Sequence, residues 1–200
     1  MSFYQIETLE SLRVLRLYSE DPTNRLTRAC VRALLEALER LAREPGPLII
    51  TGNPKFFSAG ADLTEVSSLT AAQAYEFSQL GQQLMNAIAQ FPAPLYAAIH
   101  GYCMGGGLDL ALACHHRIAS PHAVFGHRGA ALGLITGWGG TQRLPRLVGR
   151  AKALEMFVAA EKLHAYEAWR IGLVNEVVED PVAEAFQRIH QRDTEAQRNS

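Results

Sequence analysis

Cys103-Met-Gly-Gly-Gly-Leu-Asp-Leu-Ala111 sets three consecutive glycines at the mouth of an apolar helical turn and places Asp109 inside that turn. The residues just upstream, 95–100, are short and apolar and follow the Pro92-Ala93-Pro94 break, which is the signature of a buried strand. Strand, glycine loop and helix in that order make the unit of an α/β domain whose helices cover a sheet. A second strand and loop stand upstream, where residues 47–52 (Pro-Leu-Ile-Ile-Thr-Gly) lead into Asn53-Pro-Lys-Phe-Phe-Ser-Ala-Gly-Ala-Asp62. In such folds ligands sit where loops leave strand ends near helix N-termini, so these two loops are the candidate site.

The remaining elements alternate in the same way. Residues 12–19 read as a strand in a hairpin with residues 3–9, and Asp21-Pro22-Thr23-Asn24 supplies turn chemistry. Thr27 is a candidate N-cap for a helix carrying Leu34, Leu35, Leu38, Leu41 and Ala42, stopped by Pro45-Gly46-Pro47. Thr70-Ala-Ala-Gln73 has the form of a capping box and opens a second helix that runs to Pro92. After the glycines come a helix to about Ala113, strand-like pieces at 117–120 and 123–125, a helical segment near 149–160 and a strand at 173–178.

At 200 residues, 48% apolar and 20% charged, the chain is read as one domain, with a core over about 3–178, a charged helix over about 181–192 and a frayed tail to 200. A net charge of -1 without long runs of like charge leaves no footprint for nucleic acid or an anionic membrane surface. Glu7, Glu10, Arg13 and Arg16 argue against a signal peptide, so the chain is expected to start at Met1. The apolar stretch 95–114 is broken by His100, glycines and Asp109, which excludes a spanning helix there. Cys30, Cys103 and Cys114 lack paired spacing and read as buried thiols of a cytoplasmic protein.

Glycines without Cβ atoms let a ligand approach bare peptide N–H groups, and at a helix start those groups have no internal partner. The spacing fits neither a P-loop nor a dinucleotide fingerprint, and no Gly-x-Ser-x-Gly elbow occurs. Two readings stay open: a tight strand-to-helix turn that needs glycine for packing, or an oxyanion hole in which each loop aims one N–H at a carbonyl oxygen.

Phe56-Phe-Ser-Ala-Gly-Ala-Asp-Leu63, His100-Gly-Tyr-x-x-Gly-Gly-Gly-x-Asp-Leu-Ala111, Gly133-Leu-Ile-x-Gly-x-Gly-Gly-Thr-Gln-Arg-Leu144 and Ala165-x-x-Ala-x-x-x-Gly-Leu-Val174 together resemble the crotonase (enoyl-CoA hydratase/isomerase) superfamily. The resemblance implies an α/β spiral of ββα units, assembly as a homotrimer or hexamer, and an enzyme of the lyase or isomerase type in fatty acid metabolism. It implies an acyl-CoA thioester as substrate, coenzyme A being part of that substrate and no separate cofactor being needed. By motif position the oxyanion donors are the N–H groups of Ala61 and Gly106. Coenzyme A is expected against Ala59, Gly60 and Asp62, with Lys55 or Arg25 near its phosphates and Asp62 bracing its loop; Gly105, Gly129 and Trp138 complete the expected substrate contacts.

The chain departs from the family pattern at both acid/base positions. Hydratases of the family flank one water with two glutamates; here the first position is Asp109 and the second is Gly129 in Phe125-Gly-His-Arg-Gly129. Glycine transfers no proton, so a two-carboxylate hydration is in doubt, as is the one-glutamate double-bond shift that relies on the second position; Asp109 is the acid/base candidate, the other reading being an aspartate satisfied by backbone or a nearby His. His127 and Arg128 flank the vacant position as a proton or anion site. Relatives with glycine there form 1,4-dihydroxy-2-naphthoyl-CoA and recruit bicarbonate, but they keep an aspartate where this chain has Thr136-Gly137-Trp138. His115, His116 and His122 show no metal-ligand spacing, and no metal is expected. Family members usually continue into further helices that roof the acyl pocket, a region shortened here, so an open pocket or a neighbouring subunit is expected. Decarboxylation or thioester hydrolysis, a non-catalytic acyl-CoA-binding or assembly subunit, and a diketone hydrolase using His127 are the competing functions.

Overall fold

The computed structural model describes residues 2–9, 12–44 and 46–198. The expected start at Met1, the breaker Pro45 and the last two positions of the expected tail lie outside them. The larger sheet has the order β1 (Tyr4–Leu9), β2 (Leu12–Leu17), β4 (Leu48–Thr51), β7 (Leu95–Ile99), β9 (His116–Ala119) and β12 (Glu176–Val177), parallel except for the β1–β2 hairpin. A smaller sheet has the order β11 (Leu163–His164), β10 (Val124–Gly126), β8 (Tyr102–Met104) and β5 (Phe56–Ser58). β3 (Arg25–Leu26) pairs in parallel with β6 (Gly60–Ala61). The helices are α1 (Arg28–Ala42), α2 (Leu63–Ser67), α3 (Ala71–Ala89), α4 (Gly106–Ala113), α5 (Gly140–Val148), α6 (Arg150–Ala159), α7 (Ala165–Arg170) and α8 (Pro181–Arg198).

Three consecutive turns of chain follow one rule. In β4–β5, β7–β8 and β9–β10 the first strand enters the larger sheet and the second enters the smaller one, and a helix follows each pair: α3 (after the short α2), α4 and α5. This is the spiral of ββα units that the motifs imply. The central strands are apolar throughout because both faces of the larger sheet are covered. Leu48, Ile50, Ala97 and Ile99 belong to the core with Leu34, Leu38, Leu84 and Ile88 of α1 and α3. Their alternates Ile49, Tyr96 and Ala98 pack with Ala185 and Ile189 of α8, as the two-residue period of a strand requires.

The local signals for helix starts hold. Thr27 Oγ1 accepts from Cys30 N–H, and Thr70 and Gln73 make both halves of a capping box. Three boundaries differ from the sequence reading. α8 continues to Arg198 rather than stopping near Arg192, with Asp180 Oδ1 accepting from Val182 N–H and Ala183 N–H at its start. The strand expected over 173–178 shrinks to β12, because Gly172 N–H and Leu173 N–H close a turn onto Trp169 and Ala168. α5 opens at Gly140 ahead of the expected helix; its start lacks a side-chain cap and it contains Pro145, so neither usual signal marks it.

Candidate active site

The loop after β4 is held open by buried polar side chains. Asn24 Nδ2 donates to the carbonyls of Phe56 and Phe57, Ser58 Oγ donates to Asn24 O, and Gly60 N–H donates to Ser58 Oγ. These bonds bring Gly60, at φ +90°, against the start of α4: a Cβ built there would lie 2.6 Å from Met104 O and 2.9 Å from Gly106 N. No side chain fits, so the two glycine loops touch backbone to backbone.

Where the loops meet, two peptide N–H groups take no part in the ladder or the helix of their own residues. Leu26 pairs with Ala61, and its carbonyl accepts from Asp62 N–H at 3.4 Å. A residue in that parallel register leaves the N–H of the residue opposite, Ala61, on the far side of its strand. Gly106 is the first residue of α4, where a helix has no carbonyl one turn back for its N–H. Ahead of it Gly105 stands at φ 51° and ψ -120°, and its own N–H is taken by Gly126 O at 2.9 Å. Ala61 and Gly106 are both half-buried.

Asp109 lies one helical turn beyond Gly106, on the same face of α4. Its side chain is buried, with Oδ2 accepting a hydrogen bond from Thr136 Oγ1. Oδ1 faces His127 Nε2 at 3.3 Å, within ion-pair range but misaligned, and neither atom has a hydrogen-bond partner. A Cβ on Gly140 would lie 2.1 Å from Asp109 Oδ1, so the backbone of α5 approaches that oxygen closely. Burial pushes the Asp109 carboxyl up to about 7, against the opposing pull of the Thr136 hydroxyl and the Arg143 guanidinium. Burial alone holds the His127 imidazole down to about 4. The two groups are therefore an acid and a neutral base packed together near neutrality.

The expected position of a second carboxylate is filled by backbone. Gly129 opens a 3₁₀ turn, Gly129–Leu132, and its carbonyl accepts from Leu134 N–H. A Cβ on Gly129 would meet Leu134 O at 2.6 Å, so this loop has closed over the space a side chain would need. Trp138 is buried, its ring edge-on to Phe77 and pressed against Gly106, where a Cβ would meet the indole at 2.4 Å. It packs the underside of the α4 start.

The other expected site residues lie around the first loop. Asp62 caps α2 by accepting from Glu65 N–H and pairs with Arg25 Nη1 at 3.3 Å; the Glu65 bond and then Arg25 hold its carboxyl below the usual range. Lys55 is exposed, and its carbonyl accepts from Tyr102 N–H. Ala59 N–H donates to Thr23 O. His115 Nδ1 accepts from Leu95 N–H while Nε2 lies 3.2 Å from Ala89 O, tying the end of α3 to β7. Among the described residues no group of His, Cys, Asp and Glu could hold a metal, and no helix is long and apolar enough to cross a membrane.

Sequence reasoning overlooked two residues that the fold brings here. Thr136 reaches Asp109 across 27 positions; the sequence marked it only as standing where some relatives keep an aspartate and gave no sign of this bond. Buried Arg117 donates from its guanidinium to the carbonyls of Leu173, Ala111 and Cys114, which anchors the far end of α4. A charge at the start of an otherwise apolar strand was its only trace.

Residues 7–197 match the family model for enoyl-CoA hydratase/isomerase. A crotonyl-CoA hydratase from Syntrophomonas wolfei is 41% identical over 177 residues, covering 87% of this chain and 68% of that protein. Among solved structures, DspI of Pseudomonas aeruginosa superposes with a TM-score of 0.91 at 36% identity, over 96% of this chain and 74% of that one. An enoyl-CoA hydratase from Bacillus anthracis gives 0.90 at 33% identity, over 95% of this chain and 76% of its own.

Proposed function

The chain belongs to the enoyl-CoA hydratase/isomerase family, and from that premise we propose that it is an enzyme that binds an acyl-CoA thioester and stabilises its enolate. The carrying observation is the backbone contact of Gly60 with Gly106, which supports two N–H groups, of Ala61 and Gly106, meeting at one carbonyl oxygen. Charge that develops on that oxygen is stabilised by fixed dipoles and by the positive end of α4. Coenzyme A lies against residues 59–62, with Lys55 at the phosphates, and no further cofactor takes part.

Asp109 removes and returns the α-proton. Its burial keeps the carboxyl near neutral pH in affinity, which suits a group that must both accept and donate. Gly129 offers no second acid, so the reaction is an enolate step such as a decarboxylation, or a thioester cleavage through a tetrahedral oxyanion held by the same two N–H groups, rather than water addition by paired carboxylates. The protein acts in the cytoplasm and assembles as a trimer or hexamer, for which exposed Leu132, Ile135, Leu154 and Val158 supply apolar surface.

A non-catalytic acyl-CoA-binding subunit is the second reading, favoured by one observation: the Asp109 side chain is 2% exposed. Proton exchange separates the two. Incubated in D2O with butyryl-CoA, the enzyme should place deuterium at the α-carbon and Asp109→Asn should not. Binding of butyryl-CoA without exchange by the unmodified protein would establish the second reading instead.

A further inference from the structure

The Asp109 carboxyl meets groups from several elements. His127 faces Oδ1, the Gly140 backbone covers the same oxygen, Arg143 of α5 acts on the carboxyl through space, and Cys103 of β8 lies near enough for its thiol to sense the charge. The other oxygen, Oδ2, accepts from the Thr136 hydroxyl, whose own surroundings are different. Thr136 is half-buried and lines a cleft of about 520 Å³ between α3 and α5, shared with Ser78, Gln82, Asn86, Arg143 and Arg146. The cleft is polar and roomy enough to hold many waters.

The segment carrying Thr136 is fixed by three side chains. Ser78 Oγ and Gln82 Nε2 both donate to Gly137 O, at 3.0 and 2.8 Å. Arg143 Nη1 donates to Trp138 O, and Nη2 to Asn86 Oδ1 at 2.9 Å. A loop pinned at the two residues after Thr136 holds the hydroxyl in place rather than letting it swing into the cleft.

We propose that Thr136 is the positioning residue for Asp109, fixing its carboxyl and connecting it to the solvent of the cleft between α3 and α5. This role rests on the enolate reading above, in which Asp109 carries a proton. A hydronium ion in the cleft gives a proton to Thr136 Oγ1 while the hydroxyl proton passes to Asp109 Oδ2, which leaves neutral water in the cleft and a neutral carboxyl, and the reverse transfer returns the proton to water. No other group gains or loses charge. The donated hydrogen bond favours the carboxylate, so Thr136 also lowers the pH at which Asp109 ionises.

The test reads the Asp109 carboxyl directly. Protein labelled with 13C at aspartate carboxyls is titrated without thioester, the Asp109 signal being the one missing from Asp109→Asn. In Thr136→Val the midpoint should rise by about one unit or more, the loss of a hydrogen bond to a charged acceptor. Thr136→Ser, which keeps the hydroxyl, should restore it, and Thr136→Ala should behave as the valine variant. With butyryl-CoA in D2O, the pH profile for α-exchange should move upward by the same amount in the valine variant and return in the serine one. An Asp109 midpoint unmoved in both Thr136→Val and Thr136→Ala overturns the assignment. A shifted midpoint with no α-exchange in the unmodified protein leaves the hydrogen bond standing but removes the enolate function it serves.

Discussion

His127 Nε2 and Asp109 Oδ1 face each other at 3.3 Å in the buried centre of the site, and neither makes a hydrogen bond. Burial moves the two groups in opposite directions along the pH scale, the acid up to about 7 and the imidazole down to about 4. Each is thereby kept neutral over the same interval, and consequences for stability and for chemistry follow.

The stability consequences have opposite signs. Folding raises the Asp109 value, so its contribution is present at low pH and is lost as pH climbs from about 4 to about 7. Folding lowers the His127 value, so its contribution grows between about 4 and the ordinary imidazole range. In the unmodified protein the two slopes, each on the order of 1.4 kcal/mol per pH unit, largely offset one another. Urea unfolding of Asp109→Asn at several pH values from 4.5 to 6.5 should expose the rising His127 slope, and His127→Gln the falling Asp109 one. Parallel profiles for all three proteins would contradict the assigned directions.

Activity should follow the carboxylate. With ionised Asp109 as the proposed base, exchange into butyryl-CoA should increase with pH through a midpoint near 7. His127 is uncharged across this range and should leave no second inflection between 5 and 8. An exchange rate that is flat over that interval would remove Asp109 from the base role.

Gly60→Ala should damage the reaction more than the fold. The new methyl would lie 2.9 Å from Gly106 N and force the two loops apart, and φ +90° is strained for any side chain. Loss of one donor costs about 10² to 10³ in rate, whereas the backbone strain is about 1–2 kcal/mol. Exchange rate and thermal unfolding measured on the same preparation separate these effects; equal losses in both would point to simple unfolding.

Restoring a glutamate at the vacant position should not restore a hydratase. In Gly129→Glu the Cβ would meet Leu134 O at 2.6 Å, so the 3₁₀ turn must open before a carboxylate can turn inward. Overpacking of this kind costs roughly 1–3 kcal/mol. The variant should unfold at lower temperature and show no gain in crotonyl-CoA hydration; a clear gain would mean that the loop is free to rearrange.

Arg117→Met should destabilise the whole domain. It strips three buried carbonyls, of Leu173, Ala111 and Cys114, of a charged donor at the C-terminal end of α4. The expected loss is about 3 kcal/mol, read by urea unfolding. A loss within 0.5 kcal/mol, roughly that of a surface substitution, would show that water replaces the guanidinium.

The sequence by itself determined the alternation of strands and helices, the caps at Thr27 and Thr70, and the two glycine loops. Each of these is set by neighbours within about four positions: a hydroxyl reaching an N–H three residues on, an apolar run between breakers, or a missing Cβ. It also marked Asp109 and the glycine at 129 as departures, because a residue's chemistry is legible before its position is known. Tertiary structure alone decided what Asp109 meets. His127, Thr136 and Gly140 lie 18, 27 and 31 positions beyond Asp109 and meet its carboxyl only when the spiral closes. Whether a carboxyl ionises near 4 or near 7 depends on the water left around it, and that is a property of the packed chain rather than of any stretch of it.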